Sequence, residues 1–315
     1  MRISIILIGF LLFYTEVFAQ RISDKKYLTT DYQLVVDNDV FTLKIKQDQY
    51  YTSGIFPAVR FLRDSIRNTK VITTFQLNHR IYTPRKVTWR YEYQMDRPYA
   101  GMASISGINE YYFPTNQYLK VHLELGWIGP KTLADKTQMT YHGWFGMPPP
   151  NGWDLQISDA PIINIYGTYL KTWYSVPGFE LNTETNLSLG TIYDNVRQEF
   201  MIRFGDFKPI TSSALTGGLL GNRRLHYKQK EVSEFYLLYA PGVEYVFHNT
   251  TLEGNLFNDK SPYTEQAFPW VFQHRFGMML SWPRFDFGFI AYFRTHENEK
   301  AEKHDYVGVR LNQRF

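Results

Sequence analysis

Polar and apolar residues alternate along most of this chain. From Tyr118 to Trp127, Leu119, Val121, Leu123, Leu125 and Trp127 fall on one face, and Lys120, His122, Glu124 and Gly126 on the other. A period of two is that of a β-strand with one face in apolar surroundings. Between Arg284 and Arg294, Phe285, Phe287, Phe289, Ala291 and Phe293 share a face, and Ile290 is the one apolar residue opposite them. The stripe Trp270, Phe272, Phe276, Met278, Leu280, Trp282 has a tryptophan at each end, the aromatic–apolar–aromatic order met across a bilayer. Near the end, Val307, Val309, Leu311 and Phe315 alternate with Gly308, Arg310, Asn312 and Arg314.

Strands are predicted over 30–38, 50–63, 71–82, 97–113, 118–128, 161–174, 179–193, 197–207, 231–248, 268–281, 284–295 and 303–315. Many reach the roughly ten tilted residues that a membrane crossing needs. Charges such as Lys120, Glu124, Arg203 and Arg310 fall opposite the apolar stripe, where a barrel has its polar lumen. The expected fold is all-β: a transmembrane antiparallel β-barrel of about twelve strands, with a short helix in an extracellular loop. An even strand number leaves both termini on the periplasmic side. The end of the first strand, the start of the second, the start of the fourth and the long 129–160 connection then share one outer rim.

Composition narrows the compartment. Arg2, the apolar run Ile5–Phe13 and "TEVFAQ" read as a secretory signal peptide, cleaved after Ala19. That run is too short to span as a helix, which takes roughly twenty apolar residues. Residues 20–315 are read as one outer-membrane barrel domain. With no cysteine, neither a disulfide framework nor a thiolate metal site is available. The net charge of +4 is dispersed and forms no basic cluster, so no nucleic-acid partner is expected. Tyr and Phe number 24 each, enough for aromatic girdles. A monomer in contact with outer-membrane lipids is expected.

Three polar clusters lie at the predicted outer rim. "DNDVF" at 37–41 offers hard oxygen ligands of the calcium type, or it is a turn; both readings stay open. In "KTQMTYHGWFG", Gln138 and His142 are four apart and share a helix face, and the histidine is a candidate general base. "GWDLQ", 152–156, follows a proline run and reads as a rigid return to the rim, with Trp153 a packing or lipid-interface residue. No G-x-S-x-G elbow or H-E-x-x-H pair occurs. Ser53 reads as a strand-edge serine, and the other seven histidines are assigned to no chemistry.

Together the clusters "VVDNDVF", "DQYYTSG", "RIYTP", "DRPYAG", "GWIGP", Gln138 with His142, "GWDLQ" and "RFG" at 203–205 occur in the order of a known family. Over about 30–315 the chain resembles the outer-membrane lipid A 3′-O-deacylases, the LpxR type. The resemblance implies a twelve-stranded barrel with its site between the outer wall and a loop helix. It implies calcium-dependent hydrolysis of the 3′-O-linked acyloxyacyl ester of lipid A in lipopolysaccharide. Residue by residue, Asn38 and Asp39 take the place of the Asn-Asp pair and bind Ca²⁺. Thr52 takes the place of the motif threonine, Gln138 of the glutamine and His142 of the base. Lys86, or Arg85 beside it, takes the place of the site lysine, for phosphate or sugar. The family can have glutamate six residues after the histidine; here Pro148 stands there, and Asp154 or Asp159 is a candidate substitute. Two other classes fit the pattern. One is a catalytically silent structural or transport barrel; the other is an outer-membrane phospholipase, which needs a serine beside its histidine.

Overall fold

The computed structural model describes residues 28–40, 42, 49–66, 68–221, 234–257 and 259–315. The expected signal peptide and the first three residues of the predicted ninth strand lie outside them. Twelve strands follow in chain order: β1 Thr30–Asn38, β2 Tyr50–Ile66, β3 Thr69–Thr83, β4 Ala100–Phe113, β5 Gln117–Ile128, β6 Ala160–Val176, β7 Gly178–Gly190, β8 Tyr193–Asp206, β9 Glu234–Asn249, β10 Trp270–Ser281, β11 Phe285–Arg294 and β12 His304–Arg314. Each pairs antiparallel with its sequence neighbours, and β1 pairs with β12 to close the barrel. Closure leaves no sheet edge with unpaired backbone groups. Among the described residues two α-helices sit in connections: α1, Ala134–Phe145, and the single turn α2, Thr250–Glu253. No helix among the described residues is long and apolar enough to cross a membrane.

The alternation sorts side chains as the sequence pattern implies. Leu123, Leu125 and Trp127 are exposed on the outer wall, whereas Glu124 is buried in the lumen. In β11, Asp286 is fully buried, and Ile290, the exception to the stripe, lines the lumen. Several inward charges are paired. Arg80 meets Glu124 at 2.7 Å, Arg275 meets Glu184 and Glu199 at 3.0 and 2.9 Å, and Arg294 meets Glu244 at 3.1 Å. A charge enters a low-dielectric interior only with such a partner, since desolvation is otherwise uncompensated.

Two boundaries differ from the sequence expectation for physical reasons. The fourth strand starts at Ala100 instead of 97. Asp96 accepts from the Tyr50 hydroxyl at 2.9 Å, and Arg97 donates to Thr251 Oγ1 at 3.0 Å, which ties both to the rim. Pro98 also lacks a ladder donor. The eighth strand starts at Tyr193 instead of 197, because Asp194 and Asn195 continue the strand through an irregularity in its pairing with β9.

The two rims are unlike. At the rim reached by the end of β1, called upper here, the connections are long except the two-residue turn between β7 and β8. At the lower rim they are short turns, except between β8 and β9. There residues 207–221 fold back into the barrel mouth. Ile210 and Leu220 pack with Ile72, Tyr112, Tyr118 and Leu170. Arg60 donates to the carbonyls of Thr216 and Gly217 at 3.3 and 3.2 Å while pairing with Asp31 and Glu110, both at 2.8 Å. Gly217 has φ 67°, and a Cβ there would overlap the Arg60 guanidinium, so only glycine fits. This plug was not anticipated from sequence.

Arg60 is 1% exposed, so its removal strands two buried carboxylates. Arg60→Ala is expected to lower barrel stability by about 3–5 kcal/mol. Urea unfolding of the protein in detergent micelles measures this; an unchanged midpoint contradicts the clamp.

Candidate active site

Strand register sets Asn38 and the start of β2, which carries Thr52, in one row with the upper ends of β3 and β4. Asn38 pairs with Ser53, Ser53 with Ile81 and Ile81 with Gly101. Adjacent strands lie about 4.8 Å apart, so this row across β1–β4 is roughly 14 Å long. Asp37 lines the lumen and accepts from the Tyr51 hydroxyl at 2.9 Å. Its neighbour Asn38 therefore faces the outer wall. The two acidic-cluster residues that adjoin in sequence are on opposite sides of the barrel.

Thr52 occupies a pairing irregularity of β2 between Tyr51 and Ser53. An extra residue in one strand re-aims its side chain. Thr52 Oγ1 lies 2.7 Å from Thr83 Oγ1, and both threonines are buried. Thr83, at the end of β3, is a member of this group that sequence reading missed. Asp39 is 6% exposed; its backbone N–H donates to the Thr52 carbonyl at 3.4 Å, and its Oδ2 accepts from Gln49 N–H at 2.6 Å. Asn38 Oδ1 accepts from Val40 N–H at 2.8 Å. The Val40 bond is a local turn bond, whereas the two bonds of Asp39 tie the end of β1 to the start of β2. The same oxygens are the hard donors that the calcium reading requires.

Helix α1 stands against the outer wall at the end of this row. A Cβ on Gly101 would overlap Ala134 Cβ, so the glycine lets the foot of the helix rest on β4. Ala134, Gln138 and His142, spaced by four, form its buried face. Met139, Trp144 and Phe145 are exposed on its other sides. Gln138 Oε1 accepts from Trp153 Nε1–H at 2.9 Å. Trp153 packs on Tyr99 with ring centroids 4.8 Å apart, in one cluster with Ile81, Met95 and Ala134. The packing reading of Trp153 holds, and its indole also fixes the glutamine.

The helix ends at Gly146, φ 65°, and the chain turns into the proline run. That turn places the Pro148 carbonyl 2.6 Å from His142 Nδ1. A carbonyl only accepts, so Nδ1 carries the proton and Nε2 is the basic nitrogen. His142 is 2% exposed.

The remaining candidates separate. Arg85 is ion-paired with Glu302, whereas exposed Lys86 has no carboxylate partner among the described residues and lies 5.9 Å from the Trp89 ring. Asp154 is exposed, and Asp159 accepts from Lys131 N–H at 2.9 Å, which braces the foot of the helix. Among the described residues no group of three or more His, Asp or Glu is placed to share a metal. At the rim, burial pushes the Asp96 carboxyl up, and hydrogen bonds from Arg85 N–H and the Tyr50 hydroxyl offset part of that. Burial would also raise Glu297, but the Arg294 guanidinium, with His304 and Arg97, holds it below the usual range.

The glycine contact is testable. Gly101→Leu is expected to lift the foot of α1 from β4 while leaving the barrel intact. Limited proteolysis in detergent should then cut the 129–159 connection faster than in wild type. Equal cutting contradicts the contact.

The sequence matches the family model of the outer membrane protein LpxR over residues 5–315. No curated protein matches it. Among solved structures, LpxR from Salmonella typhimurium superposes with a TM-score of 0.71 at 18% identity, covering 90% of this chain and 100% of that one. An outer membrane channel from Pseudomonas putida F1 superposes at 0.46 with 6% identity, over 94% of this chain and 98% of that one. The translocator domain of the autotransporter NalP from Neisseria meningitidis gives 0.44 with 10% identity, over 99% and 96%. The whole-length family match, on a closed barrel of the same strand plan, makes this chain a member of the LpxR family of outer-membrane proteins.

Proposed function

We propose that this protein is a calcium-dependent outer-membrane esterase that hydrolyses the 3′-O-linked acyloxyacyl group of lipid A. The observation that carries the reading is a histidine with a defined basic nitrogen on the wall-facing side of α1, a helix whose foot rests on Gly101, in the same cross-strand row as Asn38. Family membership supplies the substrate class. The upper rim is read as the cell exterior, because outer-membrane barrels have long outer loops and short periplasmic turns.

In this mechanism His142 Nε2 takes a proton from water as its oxygen attacks the ester carbonyl carbon. The bond from that carbon to the 3′ oxygen of the sugar then breaks, and His142 returns the proton to the 3′ oxygen. The products are a 3′-hydroxyl lipid A and the free acyloxyacyl acid. The Pro148 carbonyl holds the imidazole through Nδ1–H, as an acceptor on the other ring nitrogen commonly orients catalytic and metal-bound histidines. Trp153 fixes Gln138 one helical turn before the base. Direct attack by water needs no protein nucleophile.

Asn38 and Asp39 fit Ca²⁺ in kind, since amide and carboxylate oxygens are its preferred donors. Asp39 supplies the pair's only carboxylate, so weak binding is expected, on the order of 10⁻⁴–10⁻³ M. When bound, the ion supplies Lewis-acid polarisation of the ester carbonyl. Lys86 is the better placed of the two cations for a lipid A phosphate or sugar, since Arg85 is engaged by Glu302. The plug in the lower mouth weighs against a transport barrel. Ser106 Oγ lies 2.7 Å from His122 Nε2 on the neighbouring strand, but that pair faces the lumen, and no hydrogen bond joins Ser53 to a histidine among the described residues, which weighs against a phospholipase site at the outer wall.

Purified protein incubated with lipid A is expected to release the 3′ acyloxyacyl group in calcium and none in EDTA, read by mass spectrometry. His142→Ala should be at least about 100-fold slower yet retain heat-modifiable mobility on gels. Unchanged lipid A from folded wild-type protein sinks the reading.

A further inference from the structure

The strands that carry the candidate site continue downward as an apolar wall, and the wall contains a groove. Register extends the site row in steps of two residues. Below Ile81 and Gly101 come His79 and Ala103, then Leu77 and Ile105, then Phe75 and Gly107. Leu125 and Leu123 flank the last two steps on β5. A depression of about 630 Å³ lies here, lined by Phe75 and Leu77 of β3, Ile105 and Gly107 of β4 and Leu123 and Leu125 of β5, and it reaches sideways to Tyr32 of β1 and to Pro57 and Val59 of β2. A Cβ on Gly107 would meet nothing within 4 Å, so the floor is open there. Six residues separate Gly101 from Gly107, which is roughly 20 Å along the strand.

We propose that this groove seats one fatty acyl chain of the lipid substrate, and that Gly107 sets how long that chain can be. The proposal rests on the esterase reading and deepens it. Three features favour an acyl chain over another occupant. The groove lies two register steps below the row bearing Asn38, on the same strands and the same face. No charged side chain lines it. Over Gly107 the missing side chain leaves a gap between Phe75 of β3 and Leu123 of β5, room for a chain rather than for a protein surface. An ester held beneath α1 points its chain down this wall, past the small side chain of Ala103. The chain then runs beside Ile105 and ends over Gly107. A side chain at position 107 would shorten the track from below without touching His142, Asn38 or Asp39.

The test uses full-length protein in detergent with lipid A species whose 3′ chains differ in length, and reads the released acids by mass spectrometry. Gly107→Trp fills the groove floor. Gly167→Trp, on β6 and outside the groove, is the control; a Cβ there also meets nothing within 4 Å. Heat-modifiable mobility reports folding of both. Gly107→Trp is expected to shift release toward shorter chains, with about fourfold less cleavage for each methylene that loses its contact. Gly167→Trp should keep the wild-type length profile. If wild type is active and Gly107→Trp keeps the same profile, the groove proposal is overturned and the esterase reading stands. A shift shared equally by Gly167→Trp overturns it too, since it reflects the lipid face in general. Wild type that cleaves no chain length removes the esterase reading and the groove with it.

Discussion

The constraint on which everything else rests is that a strand in a closed barrel has only two sides. Each residue faces lumen or outer wall, and its neighbour faces the other. With β1 hydrogen-bonded to β12 there is no edge at which a strand can slip, so register and facing are set together. A slip of one residue in β1 would exchange Asp37 and Asn38. Asp37 would then lose the Tyr51 hydroxyl, and Asn38 would leave the wall that α1 covers. The lumenal ion pairs resist such a slip. Arg60 meets Asp31 of β1 and Glu110 of β4 at once, so moving β1 alone would strand a carboxylate that is fully buried.

Given that constraint, the candidate site is a problem of building outward from a wall. A sheet offers flat rows of side chains and no concavity of its own. Two local departures from regularity provide one. The irregularity at Thr52 turns that side chain onto Thr83, and Gly101 lets α1 approach β4 closely enough for its wall-facing side to be buried. The cluster of Ile81, Met95, Tyr99, Ala134 and Trp153 then locks helix, wall and two rim connections together. Gln138 is held by the indole of that cluster, so the register of the helix on the wall and the orientation of the glutamine are one arrangement.

Period-two patterning was enough to locate twelve strands, and parity was enough to put Asn38, Thr52 and the 129–160 connection at one rim. Patterns of that kind are local and repeat every second residue, so one sequence carries them. The plug at 207–221 is different. It is held by Arg203 just before it and by Arg60 and Lys70, which come from β2 and β3 far earlier in the chain, and nothing within 207–221 announces those two partners. Thr83 was missed for the same reason: its hydroxyl matters only because an irregularity thirty-one residues earlier aims Thr52 at it. Asp96 looked like the opening of a strand, whereas its hydrogen bonds to Tyr50 and Arg85 hold it in the connection before β4. Which of Arg85 and Lys86 is engaged depended on Glu302, more than two hundred residues away.

Position 148 shows why residue identity alone can mislead about a site. Against a family in which glutamate can stand six residues after the histidine, a proline looks like a lost ligand or a lost partner. The backbone still offers an acceptor at every position, and a proline run presents its carbonyls with little freedom, since φ is fixed near −65°. The αL residue Gly146 ends α1 and turns the chain back, and the next carbonyl but one reaches His142 Nδ1. A carbonyl cannot take the proton, so it keeps the imidazole in a single tautomer at every pH where the ring is neutral. A carboxylate in that place would also favour the charged imidazolium and raise the basicity of the ring. Under the proposed reading, replacing the acid by a carbonyl keeps the orientation of the base, and any change in this chain falls on its proton affinity and on the charge available to a nearby cation.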